Sequence, residues 1–94
     1  MVDVQTIVKR LTLSNKRGLH ARAAAKFVAV ADRFNADIKV QKDGHIVGGS
    51  SIMGLLMLAV PCGGSFSLEA SGDEAGAAVQ ALETLIAERF GEAE

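Results

Sequence analysis

The amino-acid sequence predicts a two-layer α+β fold, in which helices cover one face of a sheet. Runs of alternating apolar and polar residues, typical of half-buried strands, are separated along the chain by stretches with helical periodicity. One Asp-Gly turn joins two of these strands into a hairpin. The length of 94 residues suits a single domain over residues 1–94, without room for a second core. The order βαββαβα predicts an antiparallel or mixed sheet.

The first strand and the first helix lie in the N-terminal third of the chain. Residues 4–13 are rich in Val, Ile, Leu and Thr and form a strand, although Lys9 interrupts its alternation. A polar loop follows, and residues 21–34 then carry apolar side chains at helical spacing. These side chains are Ala24, Phe27, Val28, Ala31 and Phe34. The other side of this amphipathic helix carries Arg22, Lys26, Ala29 and Arg33.

The second and third strands form the hairpin. Apolar and polar side chains alternate over residues 36–41, which is the pattern of a half-buried strand. Asp43-Gly44 follows, a pair suited to a turn whose two central residues need positive φ. His45 to Gly48 form the short return strand, and His45 is predicted to be an exposed hairpin residue.

A helix, a strand and a second helix complete the order. Ser51 is a good N-cap for a short helix over residues 52–59. Alternating side chains over residues 65–70 predict the fourth strand. Ser71-Gly72-Asp73-Glu74 fits a capping box, and apolar residues at helical spacing then predict a long final helix that ends near Gly91.

The composition excludes several classes of protein. Cys62 is the only cysteine, which argues against a disulfide scaffold and a cysteine-rich metal module, and no metal or cofactor is predicted. The longest apolar stretch, Ile52 to Val60, has nine residues, whereas a membrane span needs about 20. Charged and polar residues interrupt the N-terminus, so no signal peptide is predicted and the cytoplasm is the expected compartment.

The net charge of −1 hides an uneven distribution of charged residues. Residues 1–26 carry six basic side chains and one acidic side chain, whereas residues 27–94 carry four basic and ten acidic ones. A basic face on a slightly acidic protein attracts a polyanion or an acidic partner surface.

His20 is the residue best suited to chemistry, because it lies where a loop meets the first helix. The helix that begins at Ala21 leaves its first backbone N–H groups unpaired, and its dipole adds partial positive charge there. Arg22 adds a guanidinium suited to phosphate oxygens, and Gly18 lets the loop bend. A neutral imidazole is a competent nucleophile near pH 7, so the segment is suited to carrying a phosphoryl group. The segment has no acid to position a water molecule, so hydrolysis is not predicted.

A second candidate site surrounds Ser51. The glycines before it are not followed by a lysine, so the segment is not a P-loop. The helix behind Ser51 is apolar on every side, and a segment this short cannot bury all of its apolar side chains against one sheet. Exposed apolar residues with adaptable methionines are common at partner-binding surfaces.

These two segments resemble the signatures of a known family. Gly18-Leu19-His20-Ala21-Arg22 resembles the active-site signature of HPr, the histidine phosphocarrier of the bacterial phosphotransferase system. Ser51-Ile52-Met53-Gly54 resembles the regulatory-serine signature of the same family. The spacing between the histidine and the serine, the element order and the length also match, so the resemblance covers nearly the whole chain.

The resemblance implies a fold and a reaction. The fold is an open-faced sandwich of four antiparallel strands, covered on one face by three helices. His20 would be phosphorylated on Nδ1 by enzyme I, and the group would pass to a histidine of an enzyme IIA component. Arg22 and the backbone N–H groups of Ala21 and Arg22 would bind the phosphoryl group. The protein is therefore expected to be a monomeric group carrier rather than a stand-alone enzyme.

The resemblance also implies regulation and docking surfaces. Ser51 would be the target of HPr kinase/phosphorylase, an ATP-dependent partner. The residues expected to contact partner proteins are Ile52, Met53, Leu56, Arg17 and Lys26. One position departs from the family, since Ala23 stands where a proline is usual, and this leaves the first helical turn less rigid. Together with Gly48-Gly49-Ser50, this feature is similar to HPr-like carriers of regulatory, nitrogen-related branches.

Two other functions fit the predicted architecture less well. A small nucleic-acid-binding domain could use the basic face, but single-strand binders stack bases on aromatic side chains. This chain has four Phe, no Tyr and no Trp, and three of the Phe lie on apolar helix faces. A ligand-sensing regulatory domain would need converging polar groups in a pocket, and the sequence marks none. We therefore expect neither binding of nucleic acid nor insertion into a membrane.

Overall fold

Strands and helices alternate through residues 6–93, the part of the chain that the computed structural model describes. The elements are β1 (Thr6–Thr12), α1 (Ala21–Ala31), β2 (Asp37–Lys42), β3 (His45–Gly48), α2 (Ile52–Met57), β4 (Ser65–Ser71) and α3 (Ala75–Ala87). A one-turn 3₁₀ helix, Arg89–Gly91, follows α3. The predicted order βαββαβα is confirmed, whereas the predicted start of β1 at residue 4 lies outside the described residues.

The four strands form one antiparallel sheet in the order β1-β4-β2-β3. α3 packs against β1 and β4, while α1 packs against α2 and α3. The helices therefore lie together over the sheet, and the predicted open-faced α+β sandwich is confirmed. Within residues 6–93, no helix is long and apolar enough to cross a bilayer.

Lys9 interrupts the alternation of β1 because it lies on the helix-covered face of the sheet. It pairs across the ladder with Leu68, which is fully buried, and paired residues on neighbouring strands point to the same face. The Nζ of Lys9 reaches Oε2 of Glu83 on α3 at 3.0 Å. A lysine is tolerated there because β1 is an edge strand and the lysine side chain remains half exposed.

The hairpin turn has the predicted conformation. Asp43 has a φ of 52° and Gly44 a φ of 82°, so both central residues are left-handed. Lys42, just before the turn, donates from Nζ to the carbonyl oxygens of Leu58 and Ala59, each at 3.2 Å. A cation on these carbonyls stabilises the end of α2, which stops at Met57, two residues earlier than predicted.

Two predictions for α3 are wrong. The capping box does not form, because the N-cap is Glu74 and no side chain makes a capping bond. Instead, Glu74 Oε1 accepts a hydrogen bond from the backbone N–H of Asn35 at 2.6 Å. The helix also ends at Ala87, before the predicted Gly91, because the next residues turn with the opposite hand.

Residues 88–93, which we call the strap, change the direction of the chain after α3. Arg89, Phe90 and Gly91 have φ values of 55°, 56° and 77°. A left-handed residue other than glycine costs on the order of 1–3 kcal/mol and persists only where its surroundings impose it. Here the side chain of Phe90 is 1% exposed and lies in the core, and its carbonyl oxygen accepts from Lys26 Nζ at 2.5 Å.

The core lies between the sheet and the helices. Its largest fully buried apolar side chains are Phe27, Phe66, Phe90, Leu13, Leu55, Leu68, Leu82 and Val40. In α1 the predicted apolar face is confirmed at Ala24, Phe27 and Ala31, whereas Val28 is only partly buried. The helix ends at Ala31 and not at the predicted Phe34, which follows it and is also partly buried. Ala23 and Val30 complete the buried face of this helix.

Candidate functional site

The loop before α1 is held by backbone hydrogen bonds to a second loop. The N–H of Leu19 donates to the carbonyl oxygen of Val60 at 2.9 Å. Gly18 has a φ of 65°, and a Cβ at this position would lie 2.4 Å from the same Val60 oxygen. Only glycine allows this close approach, so the predicted bend at Gly18 is confirmed and has a second, steric cause.

His20 is the N-cap residue of α1. Its backbone is extended, with φ −84° and ψ −179°, and its carbonyl oxygen accepts from the N–H of Ala24 at 2.8 Å. The imidazole makes no capping hydrogen bond. The N–H groups of Ala21, Arg22 and Ala23 precede the first helical hydrogen bond, so the helix itself gives them no acceptor. The imidazole is therefore not used to cap the helix.

A carboxylate from the strap reaches the imidazole. Glu92 Oε2 contacts Nε2 of His20, and Glu92 Oε1 accepts from Nδ2 of Asn15 at 3.1 Å. The side chains of His20 and Glu92 are only 16% and 17% exposed. The segment around His20 contains no acid, as the sequence shows, but the folded chain brings one to the imidazole from 72 residues away.

The contact changes the acidity of Glu92. The hydrogen bond from His20 lowers the pKa of this carboxyl below its ordinary value of 4.5, while partial burial opposes the shift and Asn15 and Arg17 add to it. Since the pKa is lower in the folded state, the contact stabilises the fold fully above pH 4.5. This stabilisation is lost as the pH falls through the lowered pKa.

A shallow cavity of about 180 Å³ lies beside the Glu92 carboxylate and is lined by Lys16, Arg17 and Arg22. Arg17 and Arg22 are exposed and so can contact an anion from solvent. Glu92 also lines the cavity and contacts His20, so this one side chain connects the cavity with the imidazole. Three cationic side chains around such a cavity suit a phosphoryl group.

Lys26, the other predicted basic contact residue, has a different position. It is only partly exposed, and its Nζ is hydrogen-bonded to the carbonyl oxygen of Phe90. The structure therefore gives Lys26 a role in holding the strap. It does not line the cavity beside Glu92.

Ser51 is the N-cap of α2, as predicted. Its Oγ accepts from the N–H of Gly54 at 2.9 Å, and the side chain is exposed. A Cβ at Gly54 would lie 2.9 Å from both Ser51 Oγ and the Cβ of Val47, so the glycine lets α2 begin close to β3.

α2 presents part of its apolar surface to solvent. Ile52, Met53 and Met57 are 40%, 70% and 80% exposed, whereas Leu55 is fully buried. Leu56 is only partly buried. Because α2 packs against α1, this apolar surface and the helix that begins after His20 belong to the same layer.

Sequence reasoning missed two residues of the site, Asn15 and Glu92. Asn15 is fully buried, and its Nδ2 also donates to the carbonyl oxygen of Gly18 at 2.7 Å. An asparagine in a polar loop is a weak signal, because such residues usually lie on the surface. For Glu92 the one local signal is Gly91, which permits a turn after α3.

Known proteins resemble the chain over most of its length. Residues 7–88 match the family model described as "PTS HPr component phosphorylation site". The chain belongs to the HPr family. The phosphocarrier protein HPr of Cupriavidus necator is 46% identical over 83 residues, which cover 88% of this chain and 93% of that protein. The phosphocarrier protein NPr of Shewanella violacea is 38% identical over 85 residues, or 90% and 93% of the two chains.

A solved HPr structure also matches the fold. The crystal structure of HPr from Thermoanaerobacter tengcongensis has a TM-score of 0.89 and 42% identity, covering 94% of this chain and 99% of that one. Membership of the HPr family makes this chain a phosphocarrier of the phosphotransferase system and does not favour nucleic-acid binding or ligand sensing. The nitrogen-related branch stays a prediction, since relatives of both names match.

Proposed function

We propose that the protein accepts a phosphoryl group on Nδ1 of His20 from phosphorylated enzyme I and passes it to a histidine of an enzyme IIA component. The observation that carries this proposal is the position of His20, at the start of α1 and next to a basic cavity. In the transfer, the Nδ1 lone pair forms the new N–P bond while the P–N bond of the donor phosphohistidine breaks. The electrons of that bond return to the donor imidazole.

The residues around His20 have separate roles in this reaction. The N–H groups of Ala21 and Arg22 are oriented towards an anion at the helix N-terminus. The Arg22 guanidinium adds charge-assisted hydrogen bonds to phosphate oxygens. Arg17 contributes to the positive potential that attracts an acidic partner surface.

The reaction can be tested directly with purified components. The full chain is incubated with phosphoenolpyruvate and enzyme I, and intact mass is measured. We expect one acid-labile phosphoryl group per chain. The proposal would be overturned if the chain stays unmodified with an enzyme I that is known to phosphorylate another HPr.

Replacing Arg22 with alanine is expected to slow phosphoryl transfer by about ten- to hundredfold, because charge-assisted hydrogen bonds contribute roughly 1.5–3 kcal/mol. Arg22 is exposed, so the change in unfolding free energy should stay within about 0.5 kcal/mol. Rapid-quench transfer rates in both directions and a denaturant titration measure the two effects.

Arg33→Ala is the matched control for this prediction. Arg33 is also exposed and follows the other end of α1, so its loss removes the same charge far from the helix N-terminus. Transfer by Arg33→Ala should equal wild type. Equal rates for Arg22→Ala and wild type would show that Arg22 is only a solvated charge.

We also propose that phosphorylation of Ser51 by HPr kinase/phosphorylase weakens docking of enzyme I. A phosphate at Ser51 would lie at the exposed start of α2, where it disturbs the fold little and adds a charge of about −1.5 to −2. A partner that docks on Ile52, Met53 and Leu56 would have to desolvate this charge. An acidic partner, which the basic surface near His20 favours, would also be repelled.

Replacing Ser51 with aspartate is expected to slow phosphorylation of His20 by enzyme I (charging) about tenfold at low salt. Like charges that face each other in an interface cost several kcal/mol when they are fully desolvated. The cost is smaller at an exposed rim, where we expect Ser51 to lie. Ser51→Asn is the matched control, because asparagine is an equally good N-cap without the charge. Charging rates at low and moderate salt separate repulsion, which salt screens, from lost apolar docking. Equal rates for serine, asparagine and aspartate would remove the regulatory role.

The remaining expectations concern the setting of the reaction. The exposed apolar side chains of α2 would form the centre of the enzyme I and enzyme IIA interfaces, with Arg17 at the rim. The carrier would act as a monomer in the cytoplasm. Size-exclusion chromatography with light scattering on the free chain tests the monomeric state.

A further inference from the structure

The Glu92 carboxylate has a defined position because both of its oxygens are engaged. Oε2 contacts Nε2 of His20, and Oε1 accepts from Nδ2 of Asn15 at 3.1 Å. The two partners come from the loop and the start of α1, whereas Glu92 comes from the strap. With only 17% of its side chain exposed, Glu92 differs from an ordinary surface glutamate.

Asn15 fixes the carboxylate relative to the loop before His20. Its amide nitrogen donates both to Glu92 and to the carbonyl oxygen of Gly18, the latter at 2.7 Å. Both neighbours are acceptors, so only the orientation that turns the NH₂ group towards them is satisfied. Because Asn15 is fully buried, water does not compete with Glu92 and Gly18 for its amide N–H groups.

The strap is built to deliver Glu92 to this position. Two non-glycine residues, Arg89 and Phe90, are left-handed, and such residues often occur at functional sites. The burial of Phe90 and the bond from Lys26 to its carbonyl oxygen hold the turn in place. The N–H of Glu92 then donates to the carbonyl oxygen of Arg89 at 2.9 Å, which closes the turn next to His20.

We propose that Glu92 is a positioning residue that holds the proton of His20 on Nε2 and leaves Nδ1 as the nucleophile. A carboxylate only accepts hydrogen bonds, so the ring nitrogen that faces it carries the proton. The same contact restricts rotation of the ring, as the buried carboxylate of a catalytic triad does for its histidine. The inference rests on the proposed phosphocarrier function and adds the residue that orients the acceptor.

The contact also acts during transfer. When Nδ1 of His20 forms the N–P bond, the ring becomes a cation that still carries its proton on Nε2. The Glu92 carboxylate then faces a positive ring, and this attraction lowers the energy of the charged intermediate. The proton stays on Nε2 throughout, so no further acid or base is needed.

The first test reads the tautomer in the uncharged protein. Full-length chain labelled with ¹⁵N-histidine is studied by NMR at pH 8, where ¹⁵N shifts and ring couplings identify the protonated nitrogen. For wild type we expect the proton on Nε2, with slow exchange with water because it is hydrogen-bonded. In Glu92→Ala the Nε2 proton should exchange too fast to be observed. In Glu92→Gln, where an amide can satisfy only one of the two partners, exchange should be intermediate.

The second test measures the rate of phosphoryl transfer from enzyme I. Glu92→Ala should lower the maximal charging rate about tenfold and leave the half-saturating concentration of enzyme I unchanged, since a positioning residue acts on the chemical step. Glu88→Ala is the matched control. It removes a carboxylate from the same strap, but its side chain is exposed. Its spectra and rates should equal those of wild type.

The outcomes separate this inference from the proposed function. A wild-type ring with its proton on Nδ1 would overturn the inference, and so would a Glu92→Ala variant with wild-type proton exchange and charging. A wild-type chain that shows the expected tautomer but accepts no phosphoryl group would overturn the proposed function alone. Denaturant titrations of each variant show whether a lost signal comes from unfolding.

Discussion

Replacing His20 with alanine is expected to abolish phosphoryl acceptance from enzyme I while leaving the fold intact. The imidazole supplies the nucleophilic nitrogen, and alanine has nothing to replace it. The side chain makes no capping bond to α1, and its contact with the Glu92 carboxylate is part-buried. We therefore expect the unfolding free energy to fall by about 1–3 kcal/mol, the contribution of one hydrogen bond to a charged group. Intact-mass measurement after incubation with phosphoenolpyruvate and enzyme I shows whether the variant still accepts a phosphoryl group.

His45→Ala is the control for this experiment. His45 is exposed on β3, as the sequence predicted, so its replacement should leave acceptance at the wild-type level. A His20→Ala variant that is still modified, at His45 or elsewhere, would refute the assignment of the acceptor. Circular dichroism of both variants shows that the fold is retained.

Replacing Gly18 with alanine is expected to cost about 2–5 kcal/mol of unfolding free energy. The left-handed φ of 65° contributes part of this, because a Cβ is disfavoured there. The larger part comes from the new Cβ, which would lie 2.4 Å from the carbonyl oxygen of Val60. This oxygen accepts the hydrogen bond from Leu19, so the clash pushes apart the two loops that hold His20.

Gly63→Ala separates the two contributions. Gly63 has a similar φ of 81°, but no neighbouring atom lies within 4 Å of the position that a Cβ would take there. Its replacement should cost only the conformational part, about 1–2 kcal/mol. Chemical denaturation of both variants measures the difference, and equal losses would show that the approach to Val60 is harmless. Slower charging in Gly18→Ala, measured where the variant is still folded, would extend the effect to the site.

The order of elements could be predicted because each strand and α1 carries its pattern locally. The Asp43-Gly44 turn and the Ser51 cap also depend only on adjacent residues. The predictions that failed depended on distant contacts. Glu74 bonds to Asn35, 39 residues away, instead of completing a capping box. Phe90 keeps helical spacing with Ile86, but it reaches the core through a left-handed turn that periodicity does not reveal.

The same distinction between local patterns and distant contacts applies to the candidate site. His20 and Arg22 could be found from sequence because the start of a helix brings neighbouring residues to one place. Glu92 could not, since it is one of eleven acidic residues and the neighbouring Gly91 indicates only a turn after a helix. Its contact with His20 depends on the strap, whose direction follows from the burial of Phe90 and the bond from Lys26. Asn15 was missed because its burial depends on the packing of the whole loop.

The position of β4 between β1 and β2 has a consequence for synthesis of the chain. Thr6 pairs with Ser71 and Thr12 with Ser65, so β1 has no partner until most of the chain has left the ribosome. Before that point only the β2–β3 hairpin can pair, and an isolated hairpin is marginally stable in water. The nascent chain therefore exposes the apolar side chains of β1 and α1 until β4 emerges.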